Sequence, residues 1–208
     1  MEISNLQYLV DNPNLVEFAT IRGVNWVQLR VKNKPYAEWK RLALATQALC
    51  RDRATFIIND NPHLAMEVGA DGVHLGQQDM PPAEARALLG PEFIIGGTAN
   101  TFFDIERLVA AGVDYIGLGP FRFTTTKQNL SPVLGLAGYT TLLAQCREAG
   151  FTVPIVGIGG ILLDDVAALM ATGLHGLAVS GGISAVKGRT KIVWDFVSQV
   201  NKHTRFSS

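Results

Sequence analysis

Short apolar segments alternate along this chain with longer amphipathic ones. This alternation is typical of parallel strands joined by crossover helices. Each apolar segment is five or six residues long. The pattern predicts eight strands, over residues 6–10, 26–30, 55–59, 72–76, 94–98, 115–119, 153–158 and 176–180.

The amphipathic stretches between these segments predict the connecting helices. Several begin near Pro or Asp and end on Gly, which are ordinary start and stop signals of helices. The predicted helices cover residues 36–52, 61–69, 81–90, 101–112, 139–150 and 163–173.

Eight β/α units within 208 residues predict a single domain over residues 1–208. A closed (β/α)8 TIM barrel is favoured, because eight parallel strands can close on themselves and leave no unpaired edge. An open doubly wound sheet is the alternative. The first strand is not followed by a G-x-G-x-x-G turn, and no midpoint reversal is evident, which favours the barrel.

Charge and composition limit the kinds of partner. Eighteen Lys and Arg balance eighteen Asp and Glu, so no net field attracts the protein to nucleic acid or to an anionic membrane. The N-terminus lacks a basic start followed by a long apolar region, so we expect a cytoplasmic location. Cys50 and Cys146 are expected to be reduced core thiols. The oligomeric state is left open, a homo-oligomer included.

Polar side chains follow the second, third and fourth predicted strands. Gln28, Arg30 and Lys32 occupy alternate positions in QLRVK, so all three point to one side of the sheet. Alternatively, they could lie at the margin of the strand and be exposed to solvent. Asp60 and Asp79 come after the next two strands, and two carboxylates with phosphate oxygens suit Mg²⁺. Either Asp could instead be an ordinary helix cap. Together the cations and carboxylates predict a metal-diphosphate site.

A second anion site is predicted after strands seven and eight, where the chain reads IVGIGGI and VSGGI. Glycines let backbone N–H groups approach a phosphate closely, although they could simply make tight turns. The segment 120–138 lies between the two predicted sites and contains three consecutive threonines and Lys127. Hydroxyls can donate to phosphate, and the lysine can place a charge on an anionic leaving group. An exposed Thr-rich loop is the alternative. His74 is expected to be a hydrogen-bonded barrel residue rather than a base.

Five segments of the chain, in this order and spacing, match a known family. They are QLRVK, IIND, ADGVHLGQQD, DYIGLGPFRFTTTK and IVGIGGI, and together they cover nearly the whole chain. They resemble thiamine phosphate synthase. The resemblance implies a (β/α)8 transferase that joins 4-amino-2-methyl-5-pyrimidinylmethyl diphosphate to a thiazole phosphate, or its carboxylated form, and releases diphosphate.

The resemblance also implies a role for each matching residue. The pyrimidine diphosphate would be bound by Gln28, Arg30, Lys32, Asn59, Thr98 and Lys127. Mg²⁺ would be bound by Asp60 and Asp79. The thiazole phosphate would be bound by Thr124, Thr125, Thr126, Gly160, Ser180 and Gly181.

The family reaction is dissociative and needs no strong base, so Arg30, Lys32 and Lys127 would be catalytic by neutralising the departing charge. Three departures from the family pattern stand out. Thr98 replaces a common serine, the last turn reads SGGI rather than containing Ile-Ser, and Phe123 occupies a position often held by proline. The alternatives are a thiazole tautomerase on the same barrel and a non-catalytic phosphometabolite binder.

Overall fold

Eight parallel strands form a closed barrel in the order of the sequence. The structure, a computed structural model, describes residues 3–124 and 131–204. The strands are β1 (Leu6–Val10), β2 (Trp26–Leu29), β3 (Thr55–Asn59), β4 (Gly72–Leu75), β5 (Ile94–Ala99), β6 (Tyr115–Leu118), β7 (Ile155–Ile158) and β8 (Gly176–Val179). The barrel closes where β8 pairs with β1, with Leu6 opposite Leu177. The predicted fold and strands are therefore confirmed.

Helices connect the strands and surround the barrel. Within the described residues they are α1 (Glu17–Thr20), α2 (Tyr36–Cys50), α3 (Pro62–Val68), α4 (Pro82–Leu89), α5 (Phe102–Ala110), α6 (Gly135–Glu148), α7 (Val166–Met170), α8 (Gly181–Ser184) and α9 (Arg189–Thr204). Two short 3₁₀ turns, Pro13–Leu15 and Leu163–Asp165, precede α1 and α7.

The helices differ from the prediction most clearly at α6 and α9, and the short helices α1 and α8 were not predicted either. Helix α6 begins at Gly135, four residues before the predicted start, so the connection after β6 is shorter than predicted. The glycines in this first turn have low helix propensity, which concealed it in the sequence. Helix α9 was not predicted. It buries Val193, Phe196 and Val200 at helical spacing and packs on α7 and β1.

The core has two parts, one between the strands and the helices and one inside the barrel. Cys50 and Cys146 are buried in the outer part and form no disulfide, as expected. The inner part is a small apolar cluster built around Trp26 and Tyr115, whose rings meet edge to face at 4.8 Å. The other buried members of this cluster are Ile3, Leu9, Ile57, Ile94, Val156 and Ala178.

Aspartates that precede two of the strands hold their neighbours in register. The Asp71 carboxylate accepts a hydrogen bond from the Phe56 N–H at 2.6 Å, and Asp114 accepts one from the Ile95 N–H at 2.7 Å. Asp114 also accepts from Arg86 at 2.6 Å. These two residues lie at the amino ends of β4 and β6, so their role is structural.

Two glycines inside the barrel make room for rings. A Cβ added to Gly96 would overlap Cζ of Tyr115, the residue paired with it on β6. A Cβ added to Gly117 would lie 3.1 Å from Cε1 of His74. Since the interior of a small barrel is close-packed, these positions exclude larger residues.

We expect Gly96→Ala to destabilise the fold by about 1–3 kcal/mol, because the added methyl must displace the Tyr115 ring. Denaturant unfolding would measure this change. Gly181→Ala is the matched control, since no atom lies within 4 Å of its added Cβ. The control should change stability by less than about 0.5 kcal/mol. Equal losses in the two variants would contradict the packing argument.

Candidate active site

A cavity of about 680 Å³ opens where the carboxyl ends of the strands meet. Polar residues from most of the βα connections line it. Eleven residues predicted for the site are among those that do: Gln28, Arg30, Lys32, Asn59, Asp60, Asp79, Thr98, Thr124, Gly160, Ser180 and Gly181. The predictions for Thr125, Thr126 and Lys127 lie outside the described residues. The structure therefore brings both predicted anion sites to one cavity.

The carboxyl groups of Asp60 and Asp79 lie close to each other on one side of this cavity, and each affects the pKa of the other. Burial and the contact with Asp60 raise the pKa of Asp79. Burial also acts to raise the pKa of Asp60, but the ion pair with Lys32, the contact with Asp79 and the charge of Arg30 outweigh it and lower that pKa. The two carboxyl groups therefore interact, and they differ in the direction of their pKa shift.

Backbone hydrogen bonds place both carboxylates. Asp60 has a left-handed backbone with φ of 68°, and its N–H donates to the carbonyl of His74 on the next strand at 2.8 Å. The Asp79 carboxylate accepts from the N–H of Gly76 at 2.6 Å. Contacts at the end of β4 thus hold the Asp60 backbone and the Asp79 side chain.

Neither aspartate caps a helix, which was the alternative for both. Asn61 caps α3, and its side chain accepts from the N–H of Leu64 at 3.0 Å. Pro81 precedes α4 and offers no side-chain cap. The two carboxylates therefore have no capping role.

The donor set fits a magnesium ion that keeps much of its water. No group of three or more His, Cys, Asp or Glu side chains suited to a metal occurs in the described ranges. Mg²⁺ needs no such cage, since one or two carboxylates with substrate phosphates and waters complete its shell. A divalent cation would also offset the repulsion between Asp60 and Asp79.

Cations lie beside the carboxylates. Burial lowers the pKa of Arg30, while the nearby Asp60 acts in the opposite direction. Lys32 forms an ion pair with Asp60 and is itself exposed. Positive charge is therefore available on this side of the cavity for an anionic ligand.

Asn59 is a buried donor without a hydrogen-bond acceptor among the described residues. Its side chain is 5% exposed, and its Nδ2 has no partner there. An unsatisfied buried amide costs free energy on the order of 1–3 kcal/mol, and such groups often mark an unfilled ligand contact. Because Asn59 lines the cavity, a bound acceptor could satisfy it.

The turn after β7 lies on the other side of the cavity. Gly159 and Gly160 have φ of 98° and 68°, a left-handed backbone that favours glycine. Arg122 packs over Gly160 and donates to its carbonyl at 2.9 Å. The same guanidinium forms a bidentate pair with Asp165, at 2.7 and 2.8 Å, and lies 4.8 Å from the Phe121 ring.

The turn after β8 leads directly into α8. Ser180 precedes this helix, and its carbonyl accepts from the N–H groups of Ile183 and Ser184 at 3.0 and 2.9 Å. Its side chain makes no capping hydrogen bond. Gly181 has open space where a side chain would stand, so the backbone there is accessible to a ligand.

Comparisons with known proteins agree with this geometry. The family model described as thiamine monophosphate synthase matches residues 4–183. The chain belongs to this family. The thiamine-phosphate synthase of Phocaeicola vulgatus is 56% identical over 166 residues, which cover 79% of this chain and 80% of the relative. That of Flavobacterium psychrophilum is 44% identical and covers 96% and 98% of the two chains.

A solved structure of a family member has the same fold. Thiamine phosphate pyrophosphorylase from Pyrococcus furiosus superposes with a TM-score of 0.84 at 27% sequence identity, covering 96% of each chain. Membership in the thiamine monophosphate synthase family confirms the prediction of an enzyme, a transferase that acts on small molecules. Of the helices in the described part of the chain, none has the length and apolar character to span a membrane.

Sequence reasoning did not find Arg122 as part of the site. This arginine lines the cavity and joins the connection after β6 to the turn after β7. Its partner Asp165 is 43 residues away, and no sequence spacing relates the two. The position of Arg122 directly before Phe123 and the threonines was the available signal.

We expect the Arg122–Asp165 pair to couple these two connections measurably. A double-mutant cycle with Arg122→Ala and Asp165→Ala should give about 1 kcal/mol of coupling in the free energy of unfolding, because the pair is bidentate. The expected coupling is small because the arginine side chain is 40% exposed, so solvent screens the ion pair.

Lys191 and Asp195 provide the matched control for this cycle. They form an i,i+4 pair on α9 in which the lysine side chain is 82% exposed. Its coupling should be at most about 0.5 kcal/mol. If the two cycles gave equal coupling, Arg122 would be an ordinary surface charge.

Proposed function

We propose that this enzyme joins an aminopyrimidinylmethyl diphosphate to a thiazole phosphate, or its carboxylated form, in a Mg²⁺-dependent reaction that yields thiamine phosphate and diphosphate. One observation carries the proposal. A single cavity has a contacting pair of carboxylates flanked by cations on one side and glycine turns with accessible backbone on the other. The names of the relatives support the same activity.

The diphosphate would bind on the carboxylate side. Asp60 and Asp79 would hold Mg²⁺, which when bound supplies charge neutralisation of phosphate oxygens. Arg30 and Lys32 lie beside Asp60 and would donate to the same anion. Gln28, Asn59 and Thr98 line the wall next to them and would orient the pyrimidine end of the molecule and its first phosphate.

The thiazole phosphate would bind on the glycine side. The backbone at Gly160 and the turn at Ser180 and Gly181 would hold its phosphate, since N–H groups at such turns favour anions. Thr124 lines the same region. Thr125 and Thr126 are proposed to add hydroxyl donors.

The proposed reaction breaks one bond before it makes another. The C–O bond between the pyrimidine methylene and the diphosphate breaks, and its electron pair leaves with the diphosphate. The ring nitrogen of the thiazole then donates its lone pair to the methylene cation and forms the new C–N bond. When the carboxylated thiazole is the substrate, its carboxylate also leaves as CO2, and a proton from solvent takes its place. No proton is removed in either step, so Arg30, Lys32 and Lys127 would act by stabilising the departing charge.

The alternatives receive less support from the site. A thiazole tautomerase needs an acid/base residue to move a proton, and His74 has both ring nitrogens engaged, with Tyr115 and Thr98. A non-catalytic binder does not fit membership in a transferase family. A cytoplasmic location and a homo-oligomeric state stay predictions from the sequence.

We expect Asp60→Asn and Asp79→Asn each to lower Mg²⁺-dependent product formation by on the order of 100-fold, because each removes the negative charge of one proposed ligand to the metal. Asparagine also tolerates the left-handed backbone of Asp60. The assay measures thiamine phosphate made from the two phosphorylated halves during a Mg²⁺ titration.

Asp52→Asn is the matched control for the metal variants. Asp52 is exposed and has a similar backbone, with φ of 59°, at the end of α2. This variant should retain wild-type activity. A wild-type protein that makes no product with Mg²⁺ present, or metal variants as active as the control, would refute the proposed function.

We expect Lys127→Ala to lower kcat by about 100-fold while the KM for the thiazole phosphate changes by less than about threefold. A charge that stabilises only the leaving group acts in the transition state rather than in binding. Steady-state kinetics with each substrate varied would measure both constants. Lys202→Ala, on the exposed face of α9, should leave both unchanged. A similar loss in both constants would make Lys127 a binding or structural residue.

A further inference from the structure

We propose that Tyr115 and His74 are positioning residues that orient the hydroxyl of Thr98 as a hydrogen-bond donor into the cavity. They do so through a continuous chain of buried hydrogen bonds that begins at Gln28. The inference rests on the proposed function for the nature of the ligand, which is the diphosphate group. It assigns a role to the polar residues in the barrel interior.

The chain of hydrogen bonds crosses the barrel from β2 to β5. Gln28 donates to the side-chain carbonyl of Gln7 at 3.1 Å, and Gln7 Nε2 donates to the hydroxyl of Tyr115 at 3.3 Å. That hydroxyl lies 3.0 Å from Nδ1 of His74. Nε2 of His74 lies 2.9 Å from Oγ1 of Thr98, which lines the cavity.

The direction of each hydrogen bond follows from the amides at the start. An amide nitrogen can only donate, so the phenol oxygen of Tyr115 accepts from Gln7 and keeps its own proton for another partner. Burial raises the pKa of Tyr115 well above its ordinary value, with the amides of Gln7 and Gln28 acting in the opposite direction. The phenol therefore stays protonated and donates to Nδ1 of His74.

The tautomer of His74 then determines what Thr98 can do. With Nδ1 accepting, the ring proton is on Nε2, and it donates to Oγ1 of Thr98. The threonine hydroxyl has accepted a hydrogen bond and retains its own proton. Because Thr98 lies at the cavity wall, this proton is directed to a ligand oxygen. The opposite tautomer would make the hydroxyl donate to the ring and present lone pairs to an anion.

The hydrogen-bonded polar residues occupy space in the barrel interior that apolar side chains could fill. Gln7, Gln28, His74 and Tyr115 are each at most 5% exposed, and burying polar groups is favourable only when they are hydrogen-bonded. Gly96 leaves the space for the Tyr115 ring. An all-apolar interior would be simpler to stabilise, so the retained polar chain indicates a role in the site.

His74 also connects this chain to the carboxylate side of the cavity. It is paired in register with Asn59, and its carbonyl accepts from the N–H of Asp60. One residue therefore holds the Asp60 backbone through its own backbone and Thr98 through its ring. Asp60 and Thr98 both line the cavity proposed to hold the diphosphate.

A double-mutant cycle with Tyr115→Phe and Thr98→Val tests the inference. The readout is the affinity for inorganic diphosphate in the presence of Mg²⁺, measured by calorimetry, together with kcat and both KM values. Phenylalanine keeps the ring packed against Trp26 and removes only the hydroxyl.

We expect each single variant to weaken diphosphate binding by about tenfold, since Thr98→Val removes the hydrogen bond to the charged group and Tyr115→Phe removes the contact that orients it. The KM for the thiazole phosphate should be unchanged. The double variant should bind no more weakly than the weaker single variant, because Tyr115 acts only through Thr98. Thr98→Ser should bind like the wild type, since it keeps the hydroxyl.

Two additional variants separate positioning from folding. His74→Gln retains an amide that can accept from Tyr115 and donate to Thr98, and it should keep most of the diphosphate affinity. His74→Leu should lose as much as Thr98→Val. Thermal unfolding of every variant shows which of them remain folded, and the His74 pair takes the place of Tyr115→Phe if that variant does not fold.

Several outcomes would overturn the inference. One is additive losses in the cycle, which would mean that Tyr115 acts independently of Thr98. Another is equal affinity for diphosphate in His74→Leu and the wild type. A wild-type protein that forms no thiamine phosphate would defeat the proposed function, yet the diphosphate titration would still decide the role of Tyr115 and His74. Absence of diphosphate binding by the wild type would defeat both.

Discussion

Closure of the parallel sheet is the constraint on which the site depends. Because β8 pairs with β1 and all strands run in one direction, their carboxyl ends form a single rim. Arg30 and Ser180, which follow β2 and β8, thereby line the same cavity. In an open sheet with this strand order, β1 and β8 would lie at opposite edges. The two predicted anion sites would then be separated by the width of the sheet.

Closure also requires the barrel interior to be filled, and this protein fills it with two sets of side chains. Part of the interior is an apolar cluster around Trp26, and part is the chain of polar residues that reaches Thr98. Tyr115 belongs to both, because its ring packs on Trp26 and its hydroxyl contacts His74. The rigidity of close packing is thus transmitted to side chains at the cavity wall.

Much of the fold was predictable from the sequence because its signals are local. Strands in a barrel are short apolar segments with clear boundaries. Their two-residue period places Gln28, Arg30 and Lys32 on the side that faces the cavity. Asp60 and Asp79 were predicted as a pair because they follow adjacent strands. Their pairing, rather than helix capping, could be decided only when Asn61 and Pro81 were seen at the two helix starts.

The parts that escaped prediction depend on contacts between distant residues. The sequence predicted His74 as a hydrogen-bonded barrel residue, which the structure confirms, but its partners Tyr115 and Thr98 lie on other strands and could not be predicted. Arg122 and Asp165 meet because two loop backbones bring them together. A weak helix signal hid the first turn of α6, since Gly135 and Gly138 are unfavourable there.

The two sides of the cavity differ in how their cations are held, and this difference suggests which side can change its charge. Asp165 accepts from two nitrogens of Arg122 and from the N–H of Leu162, so three protein donors hold it and the Arg122 pair has a structural role. Asp60 instead faces Lys32 and a second carboxylate whose pKa is raised. In the proposed complex a divalent ion would bind between the two carboxylates and compete with Lys32 for Asp60. The lysine would then turn to the diphosphate, so the side proposed to bind the leaving group would gain positive charge when the metal binds.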